Sequence, residues 1–205
     1  QKGRQRQFHQ LGVEAFGLSG PDIDAEQIMM CDRMWKQLKI KNINLQINSL
    51  GTPESRLNYR NILVDYFSSN RNDLDEDSLI RLEKNPLRIL DSKNPDMKSL
   101  IKNAPNISEY LDIESADHFA ELRELLDHAN IKYNTDSKLV RGLDYYGKTV
   151  YEWTTRELGA QDTVCAGGRY DDLIKNHGSS PTPAIGFAIG IERLLELVDL
   201  ENVVV

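Results

Sequence analysis

Cysteine is scarce in this sequence, and its scarcity excludes a disulfide scaffold. Only Cys31 and Cys165 occur among 205 residues. They lie far apart, without a metal-like partner at short spacing, which fits reduced thiols in a cytoplasmic protein better than a secreted framework. Long apolar runs are missing too: no stretch approaches the roughly 20 residues that span a bilayer, so no membrane segment is expected. The opening Gln1-Lys2-Gly3-Arg4-Gln5-Arg6 lacks the apolar core of a secretory signal. Positive charge is in deficit, with 32 acidic against 25 basic side chains and a net charge of −7. That balance argues against a chain built mainly to coat nucleic acid, while allowing local phosphate sites. Two such sites stand out: Lys2, Arg4 and Arg6 near the start, and Arg169 beside Gly167 and Gly168. The glycines at 167, 168, 186 and 190 match neither a P-loop nor a dinucleotide fingerprint, because the required lysine, hydroxyl and spacing are absent. No carboxylate cluster marks a protein-held metal site, so no metal ligands are assigned.

The periodicity divides the chain in three. Residues 7–17 alternate as a strand whose one face carries Phe8, Gln10, Gly12 and Glu14, an aromatic, an amide and a carboxylate suited to a binding floor. A helix follows from about Asp24 toward Leu38, with Asp22 or Asp24 as its expected cap and its Met and Ile stripe as core. Residues 43–48 alternate again and end at a turn before Pro53, which opens a region without period-two pattern. There the sequence predicts helices over 54–69, 76–83, 95–103 and 114–129, broken at Asn85-Pro86, Asn94-Pro95 and Ala104-Pro105. After Ile131 strands return, at 149–155, 162–170 and 184–190, the last running into a helix over 191–198. The expected organisation is α+β: a core in two parts, 1–52 and 131–205, around a helical insertion at 53–130.

The segment Arg141-Gly142-Leu143-Asp144-Tyr145-Tyr146 concentrates a guanidinium, a carboxylate and two phenols within six residues. Such a set suits an anionic substrate with a polar ring. With it stand three further collinear motifs: Gly3-Arg4 through Phe16-Gly17, Ala166-Gly167-Gly168-Arg169-Tyr170-Asp171, and Gly186 through Leu194. On these motifs the chain resembles the catalytic core of bacterial histidyl-tRNA synthetases, class II aminoacyl-tRNA synthetases, over nearly its whole length. They look like the later half of motif 2, the two histidine signatures and motif 3.

The resemblance implies an antiparallel sheet of about six strands with flanking helices. It implies ATP-dependent activation of L-histidine to histidyl-adenylate, then transfer to the 3′ end of tRNA(His). By the same resemblance Arg141 is the catalytic arginine at the carboxylate and α-phosphate. Phe8 stacks on adenine, Arg193 covers its other face, and Arg4 touches ATP phosphates. Gln10, Glu14, Tyr145, Tyr146 and Tyr170 bind histidine, with Glu14 accepting the imidazole N–H. His9 falls on the opposite strand face and is read as structural. ATP would bring Mg²⁺, and no tightly bound cofactor is expected. The insertion would lean on the tRNA acceptor stem. A whole enzyme of this family begins with motif 1, which builds a homodimer interface, and ends with an anticodon-binding domain. Both would lie outside Gln1–Val205, so the resemblance implies a fragment with weak ligand binding and uncertain dimerisation. Two other readings are weighed: a histidine-binding regulatory paralogue associated with ATP phosphoribosyltransferase, and a plain interaction domain. The first typically lacks the insertion and the ATP-handling arginines.

Overall fold

In a computed structural model of the chain, residues 6–141, 145–159 and 162–199 are described. The elements run β1 (Gln10–Phe16), α1 (Pro21–Gln37), β2 (Ile43–Ser49), α2 (Pro53–Ser69), α3 (Glu76–Lys84), α4 (Lys98–Lys102) and α5 (Ile113–His128). Then come β3 (Tyr133–Thr135), β4 (Gly147–Thr155), β5 (Thr163–Arg169), α6 (Leu173–Asn176), β6 (Ala184–Gly190) and α7 (Ile191–Leu195). Among the described residues the strands form one six-stranded sheet in the order β1-β6-β5-β4-β2-β3. Every pairing is antiparallel except β2 with β3. The short β3, absent from the sequence reading, follows α5 and so returns in the direction of β2, as a strand–helix–strand crossover does.

Strand alternation assigns the two sheet faces. One face presents Leu45, Ile47, Tyr151, Trp153, Cys165, Ile185, Phe187 and Ile189 to the apolar sides of α1 and α5, which contribute Ile28, Cys31, Trp35, Phe119, Leu122 and Leu126. Trp35 and Trp153 meet edge to face with centroids 6.1 Å apart, a geometry worth about 1 kcal/mol beyond their burial. Packing also brings the two distant cysteines together, with Sγ atoms 3.8 Å apart as buried free thiols. A second cluster gathers Tyr59, Leu63 and Phe67 of α2, Leu82 of α3 and the segment 87–107 around Leu50, Leu139 and Val150 of the core.

One expectation is corrected here. Helix α1 begins at Pro21 with Gly20 as its N-cap and no side-chain cap, because Asp22 and Asp24 already lie inside its first turn. Proline at the first helical position accounts for that start, since its missing N–H would have had no partner there. Helix α5, grouped by sequence with the insertion, packs into the core cluster against α1. Among the described residues, none between 53 and 112 belongs to that cluster.

Candidate active site

The sheet face turned away from α1 and α5 is built low in its middle and polar at its edges. Register places Gly12, Ala188, Ala166 and Glu152 in one row across β1, β6, β5 and β4, and Glu14, Gly186, Gly168 and Val150 in the next. Small residues over the central strands leave a trough. A cavity of about 540 Å³ fills it, lined by Phe8, Gln10, Arg141, Glu152, Thr163, Ala166, Gly190, Glu192 and Arg193 among others. Phe8 is 59% exposed, an aromatic face open to the cleft. Arg193, from the first turns of α7, donates through Nη1 to the Thr163 carbonyl at 2.7 Å. The start of β1 is tied to α7 by His9, whose Nδ1 lies 2.8 Å from Glu192 Oε1 and whose carbonyl accepts from Ile191 N–H at 2.9 Å. His9 thus holds the strand in place and lies outside the cavity.

Arg141 enters from the segment after β3. Leu139, two residues earlier, is buried in the second cluster, and its carbonyl accepts from Asn48 Nδ2 at 3.0 Å, which fixes the approach. The guanidinium pairs with Glu152, whose other oxygen accepts from Thr163 Oγ1 at 3.1 Å. Burial pushes the Glu152 carboxyl above its usual value, and Arg141 opposes that push. Arg141 Nε is buried without a hydrogen-bond partner among the described residues.

Beside Arg141 lies an aromatic corner. The Arg141 Cζ stands 5.5 Å from the centroid of Tyr146, a cation–π distance. Tyr145 and Tyr146 are 4.5 Å apart by centroids, and each meets Tyr170 edge on, at 5.8 and 6.3 Å. Burial and the hydrogen bond that its O–H donates to Tyr146 push the Tyr145 phenol up to about 12. Tyr170, almost fully buried, donates its O–H to Glu14 Oε2. Glu14 stays exposed on the edge strand, yet the protein around it still raises its carboxyl above the ordinary range by desolvation.

The structure therefore brings Phe8, Gln10, Arg141 and Arg193 into one cavity, and Glu14, Tyr145, Tyr146 and Tyr170 into the adjoining corner. Arg4 lies outside the described residues. Arg169, read from sequence as a phosphate site, is instead wholly buried on the helix side of β5 with its guanidinium bonded to protein. Glu152, Thr163 and Glu192 were missed. Strand period alone would have flagged Glu152, since it alternates with the buried Tyr151 and Trp153 and must face the other way. A second cavity of about 310 Å³ also reaches Arg141, and its charged lining, Arg56, Arg60, Lys84 and Arg141, contains no carboxylate. Among the described residues no group of three or more His, Cys, Asp or Glu could hold a metal ion, and no helix is long and apolar enough to cross a membrane.

Comparison with known proteins adds the following. The family model described as histidyl-tRNA synthetase matches residues 1–194. A histidine–tRNA ligase of Ruthia magnifica subsp. Calyptogena magnifica is 55% identical over 98% of the chain, and one of Hydrogenovibrio crunogenus is 57% identical over 97%. The chain spans 48% and 46% of those two proteins, about half of each. The apo histidyl-tRNA synthetase structure of S. aureus superposes with a TM-score of 0.75 at 34% identity, covering 98% of this chain and 49% of that one.

Proposed function

The chain belongs to the histidyl-tRNA synthetase family, and from that premise we propose that its cleft activates L-histidine with ATP for transfer to tRNA(His) in the full-length protein. The observation that carries the proposal is the position of Arg141 between two unlike compartments, one lined by Phe8 and Arg193 and the other by Glu14, Tyr146 and Tyr170. A reaction joining a carboxylate to the α-phosphorus needs fixed positive charge at that junction, and its barrier is lowered by positioning and electrostatics without a covalent enzyme group. Arg141 supplies that charge from the wall of the cavity. Adenine stacks on Phe8 with Arg193 over its other face, and Arg4 meets the phosphates. Gln10 addresses the amino and carboxylate end of the amino acid.

Histidine is told from other amino acids in the aromatic corner. Tyr170 occupies one oxygen of Glu14, so Oε1 is left to accept an imidazole N–H, while Tyr145 and Tyr146 bound the ring. An apolar competitor would leave that carboxylate unpaired, which discriminates strongly. Mg²⁺ enters with ATP as part of the substrate. The carboxylate-free cavity on the far side of Arg141 suits the phosphodiester end of the tRNA. The full-length protein acts as a homodimer on this reading.

The regulatory-paralogue reading is not favoured, because Arg141, Arg193 and a full helical insertion are all present and both relatives at 55–57% identity are ligases by name. The test is histidine-dependent thermal stabilisation of the 205-residue chain. Histidine is expected to raise the melting temperature of the wild type and to leave Glu14→Ala unmoved. An equal response of the two proteins would remove Glu14 from the site, and no response of the wild type would remove histidine as its ligand. ATP–pyrophosphate exchange is expected to be feeble in this chain and robust in the full-length protein.

A further inference from the structure

Arg169 is the largest charged side chain with no exposed surface among the described residues, and the chemistry proposed above does not use it. Burying a guanidinium is costly unless its donors are satisfied, so a residue serving only to fill the core would more cheaply be apolar. Here four of its N–H groups have protein acceptors. Nε lies 3.3 Å from Asp171 Oδ1, Nη1 reaches the Gly20 carbonyl at 3.1 Å and the Asp24 carboxylate, and Nη2 donates to the Leu18 carbonyl at 2.6 Å. Asp24, wholly buried, holds His118 Nε2 of α5 at 2.8 Å with its other oxygen. Asp171 Oδ1 accepts from the N–H of Ala184, the first residue of β6, at 2.9 Å.

These partners are not a random set. Leu18 and Gly20 belong to the turn that leaves β1, the strand that carries Glu14. Ala184 opens β6, whose Gly186 pairs with Glu14 across the ladder. Tyr170, the residue next to Arg169, donates to Glu14. One rigid guanidinium thus spans the ends of β1, β5 and β6 from behind the sheet, while the two side chains in contact on the front come from β1 and from the residue after β5. We infer that Arg169 is a positioning residue for ring recognition: it sets the separation of Tyr170 and Glu14 to accept an imidazole, without touching the ligand. The inference rests on the proposed histidine pocket and deepens it.

Lysine has the charge of Arg169 but not its planar fork, and cannot reach four acceptors at once. In the 205-residue chain, Arg169→Lys is therefore expected to weaken histidine binding about tenfold or more by titration calorimetry, the size of effect expected when a buried charge-assisted contact is lost. ATP affinity, which depends on Phe8 and Arg193 at the other end of the cleft, is expected to stay within about twofold. A purely structural role would lower the melting temperature and weaken both ligands in parallel, and that result would overturn the inference, as would unchanged histidine affinity. Should Arg169→Lys fail to fold, Asp171→Asn carries the test. The Asp171 side chain is 31% exposed, and the substitution removes the negative charge at Nε while leaving an amide oxygen to accept from the Ala184 N–H. It is expected to weaken histidine severalfold with ATP unchanged, and equal loss or no loss would again overturn the inference. Glu14→Ala run alongside separates the two ideas. If the wild type binds histidine and Glu14→Ala does not, the pocket stands and the Arg169 variants alone decide the positioning role. If the wild type binds no histidine, both fall together.

Discussion

A Cβ placed on Gly186 would lie 1.7 Å from Glu14 Oε2 and 2.3 Å from its carboxyl carbon, so the glycine is the floor on which that carboxylate rests. The clash is with the free end of a flexible side chain, so it displaces the site and spares the fold. Gly186→Ala is accordingly expected to melt close to the wild type while binding histidine roughly 10- to 100-fold more weakly, as loss of one charge-assisted hydrogen bond implies. Calorimetric titration beside a thermal melt checks this, and unchanged affinity would mean that Glu14 does not receive the ring. Sequence made Glu14 visible, because strand period put it with Phe8 and Gln10. Its dependence on Gly186 was hidden, since a β1–β6 pairing 172 positions apart cannot be read from one sequence (Glu14 with Gly186 in the ladder). Arg169 shows the same gap in the other direction. Next to two glycines a cation reads as a phosphate ligand, whereas the groups that bury it, at Leu18, Gly20 and Asp24, are remote in the chain.

At the level of elements, the two junctions of the helical module meet on one carboxylate. Thr52, the N-cap of α2, gives both its N–H and its hydroxyl to Asp112 Oδ2, at 3.1 and 2.9 Å. Asp112 is itself the N-cap of α5 and accepts from Ser115 N–H at 2.8 Å, with Ser55 and Ser115 hydroxyls also on Oδ2. Partial burial works to raise its carboxyl, but these donors together outweigh it and hold it far below the usual carboxylate range. The sign follows from linkage. A carboxyl depressed in the folded state contributes stability above its unfolded value, and that contribution is lost as pH falls from there toward the folded value. Asp112→Asn is expected to be less stable than the wild type at neutral pH by about 1–2 kcal/mol, because a neutral amide oxygen accepts the same donors less strongly than a carboxylate. The gap should narrow as pH falls below about 4, the ordinary carboxylate value. Urea denaturation of both proteins from pH 7 to pH 3 measures it, and a gap independent of pH would rule out the ionised cap. Helix positions were legible here because proline breaks and capping residues punctuate the sequence. The side on which α5 packs was not, because an amphipathic helix shows that it has an apolar face and not which partner covers it.

For the whole molecule, the two hydrophobic clusters divide labour across the sheet. The cluster under α1 and α5 holds the strands together, and the cluster shared with the module covers Leu50, Leu139 and Val150 on the opposite side. Leu139 lies two residues before Arg141, so the module's burial of Leu139 supports the arginine at the junction of the cleft. This division makes a separable prediction. Because Thr52 and Asp112 touch, replacing residues 53–111 by a short glycine–serine linker closes a small gap at little entropic cost. The core is then expected to keep its near-ultraviolet circular dichroism, to which the Trp35–Trp153 pair contributes. The approach to Arg141 is expected to loosen, since Leu139 loses its apolar cover. Hydrogen exchange reads that loosening at the Leu139 amide, which in the intact chain bonds to the Asp136 carbonyl at 2.9 Å. Faster exchange there, with slow exchange kept in β5 and β6, is the expected pattern. Collapse of the near-ultraviolet signal would show that the clusters do not stand apart, and unchanged protection at Leu139 would show that Arg141 is placed by the sheet alone.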